Sequence, residues 1–254
     1  MALCRPVPKA TQTRLPADAQ PRVRRGYFEC RFGQLHVHNA MPPGGGFEED
    51  TPLLCLHDFS GSGRVFTRLI ALLAQERSVY APDLPGFGES DAPTPRPQIA
   101  DYAAAIGDFL DSMRLRQVAV LGLRMGALPA IELALSRPTH VQRLILLSVP
   151  LLTEAERSAL TRATPPAAAD ASRPPEWQRW ASEAAALYPM RERLVRLSPR
   201  LLVLRTRDDL WEATGRARDA LPTARVVELE QPAVELLVSA PQRAAEPVRE
   251  FLRS

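Results

Sequence analysis

The pentapeptide 122–126 (GLRMG) has the spacing of a turn that presents a catalytic side chain. In the pattern G-x-S-x-G, a strand ends, the chain turns sharply between two glycines, and the central serine is exposed as a nucleophile. Here both glycines are present, but the central residue is Arg124. A guanidinium is protonated at any working pH and has no lone pair to offer, so it cannot attack a carbonyl carbon. The pattern therefore predicts the turn without its nucleophile.

A nucleophile at this turn would also need a base and an acid. Two carboxylates, Asp208 and Asp209, follow an apolar run at 201–205. No histidine follows His140, so no imidazole lies downstream to accept a proton. Loss of the nucleophile or the base alone costs a serine triad about a million-fold in turnover. The sequence therefore predicts that the protein is not an active serine hydrolase.

Strands and helices alternate along most of the chain. Two alternating segments around Gly33 predict an antiparallel hairpin, and continuous apolar runs predict strands buried on both faces. Strands that alternate with helices favour an α/β fold with a mostly parallel central sheet flanked by helices. The predicted strands are 27–32, 34–40, 53–57, 77–81, 117–121, 143–149, 201–205 and 225–229. The predicted helices are about 64–76, 98–114, 126–137, 211–220 and 242–252.

Residues 151–198 interrupt this alternation and predict a small helical cap or lid. Thr153 and Glu156 have the spacing of a capping box. Trp177 and Trp180 are three residues apart, so they share a helix face, either packing the cap on the body or forming the ceiling of a pocket. We therefore expect a basic tail at 1–25, a core formed by 26–150 and 199–254, and the cap between the two parts of the core.

The charge balance argues against nucleic acid as a partner. The whole chain has 32 basic and 29 acidic residues. Residues 1–25 carry six of the basic and one of the acidic residues, so the rest of the chain has no basic excess to form a nucleic-acid-binding face. No apolar run approaches eighteen residues, which argues against a membrane span, and no secretory signal is apparent. We expect a cytoplasmic protein, of bacterial origin from its Ala, Pro and Arg content, with no metal and no cofactor.

Three stretches resemble the α/β-hydrolase superfamily, in the branch of small esterases and C–C bond hydrolases. LLCLHDFSGSGRVF (53–66) resembles the oxyanion-loop strand and turn, and APDLPGFGESDAP (81–93) resembles the next strand and turn. VAVLGLRMGALPAIELALSRP (118–138) resembles the nucleophile strand, elbow and helix. The resemblance covers roughly residues 27–254 and implies the α/β-hydrolase fold.

The resemblance also implies positions for the catalytic groups. The triad-equivalent positions are Arg124 for the nucleophile and Asp209 for the acid, with Asp208 as the second candidate. The base position is expected in a turn after the strand 225–229 and, counting back from Ala240 and Pro241, falls at Val234. The oxyanion donors correspond to the backbone N–H groups of Phe59 and Met125. The residue after His57 is usually glycine, and here it is Asp58, whose carboxylate would disfavour a developing negative charge.

A guanidinium in a cleft is costly unless it is paired, so we expect Arg124 to pair with Asp209 or Asp58. This pair either fills an inactive site or leaves Arg124 to recognise a small anionic ligand such as a carboxylate. The interpretation is a non-hydrolytic pseudo-hydrolase that binds a ligand or assists an active enzyme. The alternative is a repurposed enzyme acting on a small carboxylate or ester-like substrate, and either could form homo- or hetero-oligomers. The predicted ligand-binding residues are Asp58, Phe59, Arg124, Met125, Trp177 and Trp180.

Overall fold

A computed structural model describes residues 21–43, 50–163 and 176–254, without the side chains of 160–163. Eight strands form one sheet in the order β1-β2-β4-β3-β5-β6-β7-β8. β1 and β2 form an antiparallel hairpin, β2 pairs antiparallel with β4, and the remaining pairs are parallel. The strands are β1 (Arg24–Cys30), β2 (Gly33–Ala40), β3 (Leu53–Leu56), β4 (Val79–Pro82), β5 (Val118–Leu123), β6 (Val141–Leu147), β7 (Arg200–Thr206) and β8 (Arg225–Leu229).

Helices cover both faces of the sheet. The described α-helices are α1 (Thr67–Leu73), α2 (Ile99–Ser112), α3 (Ala127–Ser136), α4 (Glu154–Ala163), α5 (Glu176–Leu187), α6 (Met190–Leu194), α7 (Trp211–Gly215), α8 (Ala217–Ala220), α9 (Ala233–Ser239) and α10 (Pro241–Arg253). One core packs α2, α3 and α5 on the sheet, and the other packs α1, α9 and α10 on the opposite face. The α/β fold with a mostly parallel central sheet is therefore as predicted.

The central strands explain why the apolar runs were informative. Every residue of β3 and β5 is buried, because helices cover both sides of these strands. Their parallel pairing places Leu56 opposite Gly122, so the ends of the two strands and the turns that follow them lie side by side. This register positions the loop after β3 against the turn after β5.

Three helices, α4, α5 and α6, lie in the interval where the cap was predicted. The capping box at the start of α4 is present: the Glu156 N–H donates to Thr153 Oγ1 (3.3 Å), and the Thr153 N–H donates to Glu156 Oε2 (2.6 Å). The division into a core and a cap remains a prediction. None of the helices in the described part of the chain is long and apolar enough to cross a membrane.

Besides shifts of one to three residues at many ends of the predicted elements, three features differ from the predictions. The predicted tail of residues 1–25 ends inside β1, because Arg24 and Arg25 already pair with β2; residues 1–20 lie outside the described part. The predicted helix at 211–220 is two short helices, α7 and α8. A helix, α9, lies where a turn was expected after β8. It follows Pro232 and buries Leu236 and Leu237 in the core, so packing stabilises a segment of seven residues that is short for a helix in isolation.

Candidate functional site

The turn at 122–126, here called the elbow turn, keeps the strand–turn–helix geometry that its glycines predict. β5 ends at Leu123, and Arg124 has φ +50°, a left-handed conformation that is uncommon for a residue other than glycine. A Cβ atom on Gly122 would lie 2.5 Å from Ala127 Cα. A Cβ atom on Gly126 would lie 2.4 Å from the carbonyl oxygens of both Leu56 and His57. Both glycines are therefore required by close backbone contacts.

Arg124 is surrounded by carboxylates, as the predicted ion pair requires. Its Nη1 and Nη2 donate to the two carboxylate oxygens of Asp209, at 2.8 and 2.9 Å. Its Nε lies 3.5 Å from Asp58 Oδ2, and its Nη1 lies 3.8 Å from Asp208 Oδ2. Hydrogen bonding to Arg124 lowers the pKa of Asp209, and the same contact raises the pKa of Arg124. Asp58, Asp208 and Asp209, here called the acidic cluster, keep this cation fixed.

Asp58 holds the backbone of the elbow turn. Its Oδ1 accepts the Met125 N–H at 3.1 Å, which is the N–H that the resemblance assigns to oxyanion binding. Its Oδ2 accepts the Ser60 hydroxyl at 2.7 Å. An internal carboxylate therefore takes the place of an external anion at this donor.

Asp208, the second candidate for the acid, is the more buried of the two adjacent carboxylates, with 8% of its side chain exposed against 70% for Asp209. It accepts the hydroxyls of Ser148 and Thr206 and the backbone N–H groups of Leu210 (3.0 Å) and Ala233 (3.3 Å). Sequence reasoning missed Ser148 and Thr206, and only the fold brings Ser148 here, from the end of β6. Asp208 is therefore tied into the structure by four donors.

Val234, the predicted base position, lies in the first turn of α9. The backbone N–H of its neighbour Ala233 donates a hydrogen bond to Asp208, so this segment does lie beside the acidic cluster. The Val234 side chain is itself 49% exposed, and an isopropyl group can neither accept nor donate a proton. The expectation of a turn at this position was wrong, because a helix begins at Ala233.

His57 has a structural role and cannot serve as the missing base. Its ring is fully buried; Nε2 accepts the Leu84 N–H at 2.8 Å, and Nδ1 lies 2.7 Å from the carbonyl oxygen of Asp58. This arrangement requires a neutral ring with its proton on Nδ1. Burial lowers the pKa of His57, which keeps the ring neutral. The imidazole thus links the loops after β3 and β4.

A cavity of about 650 Å³ lies between the elbow turn and the helices of the predicted cap, α4, α5 and α6, here called the cap helices. Of the predicted ligand-binding residues, Phe59, Met125 and Trp180 line it. Asp58, Arg124 and Trp177 do not line it, and Trp177 instead packs against Gly86, where an added Cβ atom would meet the indole at 2.6 Å. The apolar lining residues are Phe59, Met125, Leu128, Pro150, Leu152, Trp180, Ala185, Ala186, Pro189 and Met190.

His36, His38 and Asp83 form a buried group whose potential ligand atoms lie within 4.8 Å of one another. The sequence predicted no metal, and it did not predict that Asp83 would join the two histidines. The Asp83 carboxylate lies 2.9 Å from His36 Nδ1 and accepts the N–H groups of Gly63 and Glu89. These bonds give the group a structural role, which is to join β2 to the loop after β4.

The chain belongs to the alpha/beta hydrolase fold family, whose sequence profile matches residues 51–225. The parallel sheet and the elbow turn after β5 agree with this assignment. A solved structure with a similar fold is a thermophilic esterase from Thermogutta terrifontis with malate bound. It has a TM-score of 0.72 and 20% identity, over 91% of this chain and 98% of the esterase.

Curated relatives match shorter segments. The uncharacterized protein Rv2715 of Mycobacterium tuberculosis is 34% identical over 96 residues, which are 38% of this chain and 28% of that protein. A putative 2-succinyl-6-hydroxy-2,4-cyclohexadiene-1-carboxylate synthase of Bacillus subtilis is 32% identical over 96 residues, which are 37% of this chain and 35% of that protein. The matches therefore span well under two thirds of these relatives.

Proposed function

We propose that the protein is a non-hydrolytic member of its family, a pseudo-hydrolase that binds a small molecule in the cavity beneath the cap helices. The observation that carries this proposal is the position of Arg124 at the left-handed apex of the elbow turn, bound through both terminal nitrogens to Asp209. A guanidinium held in this way occupies the place of a nucleophile and cannot act as one.

The other parts of an acyl-transfer site are also engaged elsewhere. The N–H of Met125 is bonded to Asp58, and both ring nitrogens of His57 have partners within the protein. Oxyanion stabilisation supplies much of the rate that is left when a triad is lost. Because Asp58 occupies one of the two predicted donors, this residual contribution is reduced as well.

The cavity supports a binding role. Small-molecule sites are typically concave and mainly apolar, and most have volumes of about 300–1,000 Å³. The cavity falls in this range and lies directly against Phe59 and Met125, the two residues next to Asp58 and Arg124. Its ligand would therefore contact the elbow turn from the side on which a substrate of a hydrolase would lie.

A fluorophosphonate probe tests the absence of a serine nucleophile. We expect no covalent labelling of the purified full-length chain, and no hydrolysis of p-nitrophenyl acetate above the rate of the buffer, whereas an active esterase measured in parallel is labelled and turns over. Stoichiometric labelling at any serine, traced by mass spectrometry, would contradict the proposal.

A variant that fills the cavity tests the binding role. Ala185 lies on α5 and lines the cavity, whereas Gln178 lies on the same helix outside the lining. We expect saturation-transfer NMR to find ligands in a fragment library, Ala185→Trp to abolish their binding, and Gln178→Trp to leave it unchanged. Ligands that bind both variants equally well would place the binding site elsewhere.

A further inference from the structure

The acidic cluster affects which ligands the cavity can accept. Both oxygens of Asp58 are in use, Oδ1 by the Met125 N–H at 3.1 Å and Oδ2 by the Ser60 hydroxyl at 2.7 Å. Asp58 Oδ2 also lies 3.5 Å from Arg124 Nε. The carboxylate thus takes the contacts that an anionic ligand would make at this end of the cavity.

Arg124 does not compensate for this. Its terminal nitrogens are bonded to Asp209, and Asp208 lies 3.8 Å from Nη1. Three carboxylates therefore face one guanidinium, and the cavity wall at Met125, whose N–H is bonded to Asp58, adjoins a region with an excess of negative charge. A further carboxylate brought to this wall would be repelled, because like charges at short range in a partly buried site interact strongly.

The charged part of the lining does not offer a strong anion site either. Among the lining residues that the structure describes, Arg96 and Arg179 lie within salt-bridge distance of Glu183, and Arg157 pairs with Glu154. These three arginines have glutamate partners that also line the cavity, and the fourth lining arginine, Arg191, is exposed, so solvent screens its charge. The remaining walls are formed largely by apolar side chains, which stabilise the apolar part of a ligand.

We infer that Asp58 acts as a built-in anion that selects uncharged, mainly apolar ligands and rejects carboxylates. This inference rests on the proposed binding function and names the ligand class of the same cavity. It replaces the expectation that Arg124 recognises a small anion, since the partners of that cation are already supplied by the protein. Asp58 is thus a specificity-determining residue. It acts through its negative charge and by occupying the backbone N–H of Met125.

Acetate tests directly whether the Met125 N–H is available to an external anion. The readout is the backbone amide signal of Met125 in ¹⁵N-edited NMR spectra. We expect acetate up to high millimolar concentration to leave this signal unchanged in the wild-type protein. In Asp58→Gly, which frees the donor and removes the charge, acetate should shift the signal in a saturable way. A wild-type response as strong as that of Asp58→Gly, or no response in a folded Asp58→Gly, overturns the inference.

A matched pair of ligands tests the selection itself. 4-Phenylbutanamide and 4-phenylbutanoate share an apolar body and differ in the charge of the end group. In isothermal titration calorimetry at pH 7.5, we expect the wild-type protein to bind the amide at least about ten-fold more tightly than the carboxylate. Asp58→Asn, which removes the negative charge, should tighten carboxylate binding by about ten-fold and so abolish the preference for the amide. Asp219→Asn, the same change at an exposed position in α8 outside the cavity lining, should alter neither.

The binding function of the cavity and the selection by Asp58 are contradicted by different results. Equal binding of the amide and the carboxylate by the wild-type protein contradicts the selection by Asp58, while the cavity remains a binding site. If no ligand is found whose binding Ala185→Trp abolishes, the binding function is contradicted. The selection by Asp58, which depends on that function, is then contradicted with it.

Discussion

The elbow turn and the acidic cluster lie side by side and are held in different ways. The elbow turn is fixed by backbone packed on backbone, since Gly122 and Gly126 leave no room for a Cβ atom. The acidic cluster is fixed by charge and hydrogen bonds to Arg124, to hydroxyls and to backbone N–H groups. The first arrangement depends mainly on shape, with one added hydrogen bond from the Met125 N–H to Asp58, and the second depends on which side chains are present. A catalytic turn can therefore keep its geometry when its chemistry has been replaced.

The largest effect is expected at Gly126, where shape dominates. Gly126→Ala places a Cβ atom 2.4 Å from two carbonyl oxygens that belong to the end of β3 and the loop after it. Because backbone atoms cannot move aside cheaply, we expect a loss of about 3 kcal/mol in the free energy of unfolding, measured by urea denaturation. Gly61→Ala is the control, since its Cβ would meet only an ordinary contact at 3.8 Å. Equal effects of the two variants would contradict the steric argument.

A smaller but still large loss is expected when Asp208 is removed. Asp208→Ala leaves the hydroxyls of Ser148 and Thr206 and two backbone N–H groups without their acceptor. Unsatisfied buried donors cost about 1–3 kcal/mol each, and relaxation and water recover part of this, so we expect a total of about 2–3 kcal/mol. Asp209→Ala, at an exposed carboxylate, should cost about 1 kcal/mol or less in the same denaturation experiment. The reverse ranking would show that Asp209 is the structural member of the pair.

Variants at Arg124 separate shape from charge at one position. Arg124→Ala removes the cation but keeps a Cβ atom at φ +50°, and we expect it to cost about 1–2 kcal/mol in unfolding free energy. Arg124→Gly removes the cation and also relieves the left-handed strain, so it should be more stable than Arg124→Ala by about 1 kcal/mol. If the two variants were equally stable, the left-handed backbone would carry no strain at this site.

The smallest effect is expected from pH. Arg124 lowers the pKa of Asp209 below its ordinary value of 3.8. A carboxyl group with a lowered pKa in the folded state adds stability above its unfolded pKa, and that contribution is lost as the pH falls through the folded value. We expect the stability difference between wild type and Asp209→Asn to be constant from pH 7 to about 5, to begin to fall near the ordinary pKa of 3.8, and to disappear only once the pH has passed below the lowered pKa of the folded state. Since Asp209 is exposed, the difference should be below about 1 kcal/mol. In the Arg124→Ala background it should be absent at every pH.

Much of the fold and part of the site could be predicted from the sequence. Continuous apolar runs identified β3, β5 and β7, because strands buried on both faces need apolar residues throughout. The spacing of Gly122 and Gly126 identified the elbow turn, because only glycine fits such close backbone contacts. The pairing of Arg124 with Asp209 or Asp58 was predicted from the cost of an unpaired guanidinium in a cleft, and the structure places both carboxylates within 3.5 Å of Arg124.

Other features depend on contacts between distant segments. The bond from the Met125 N–H to Asp58 requires the register of β3 against β5, which no local pattern specifies. Trp177 and Trp180 share a helix face, as their spacing predicts. Trp177 packs against Gly86 in the loop after β4, however, and of the two tryptophans only Trp180 lines the cavity. The first turn of α9 at Val234 was missed because packing in the core stabilises that short helix.

The two hydrogen bonds between Arg124 and Asp209 join residues that are 85 positions apart. They connect the elbow turn to the loop that follows β7, across the strand β6 that lies between β5 and β7. This connection acts as a non-covalent crosslink at the carboxyl edge of the sheet. Local opening of one loop must then break the crosslink and release the other, so backbone amides in both loops should exchange their hydrogens with solvent at coupled rates.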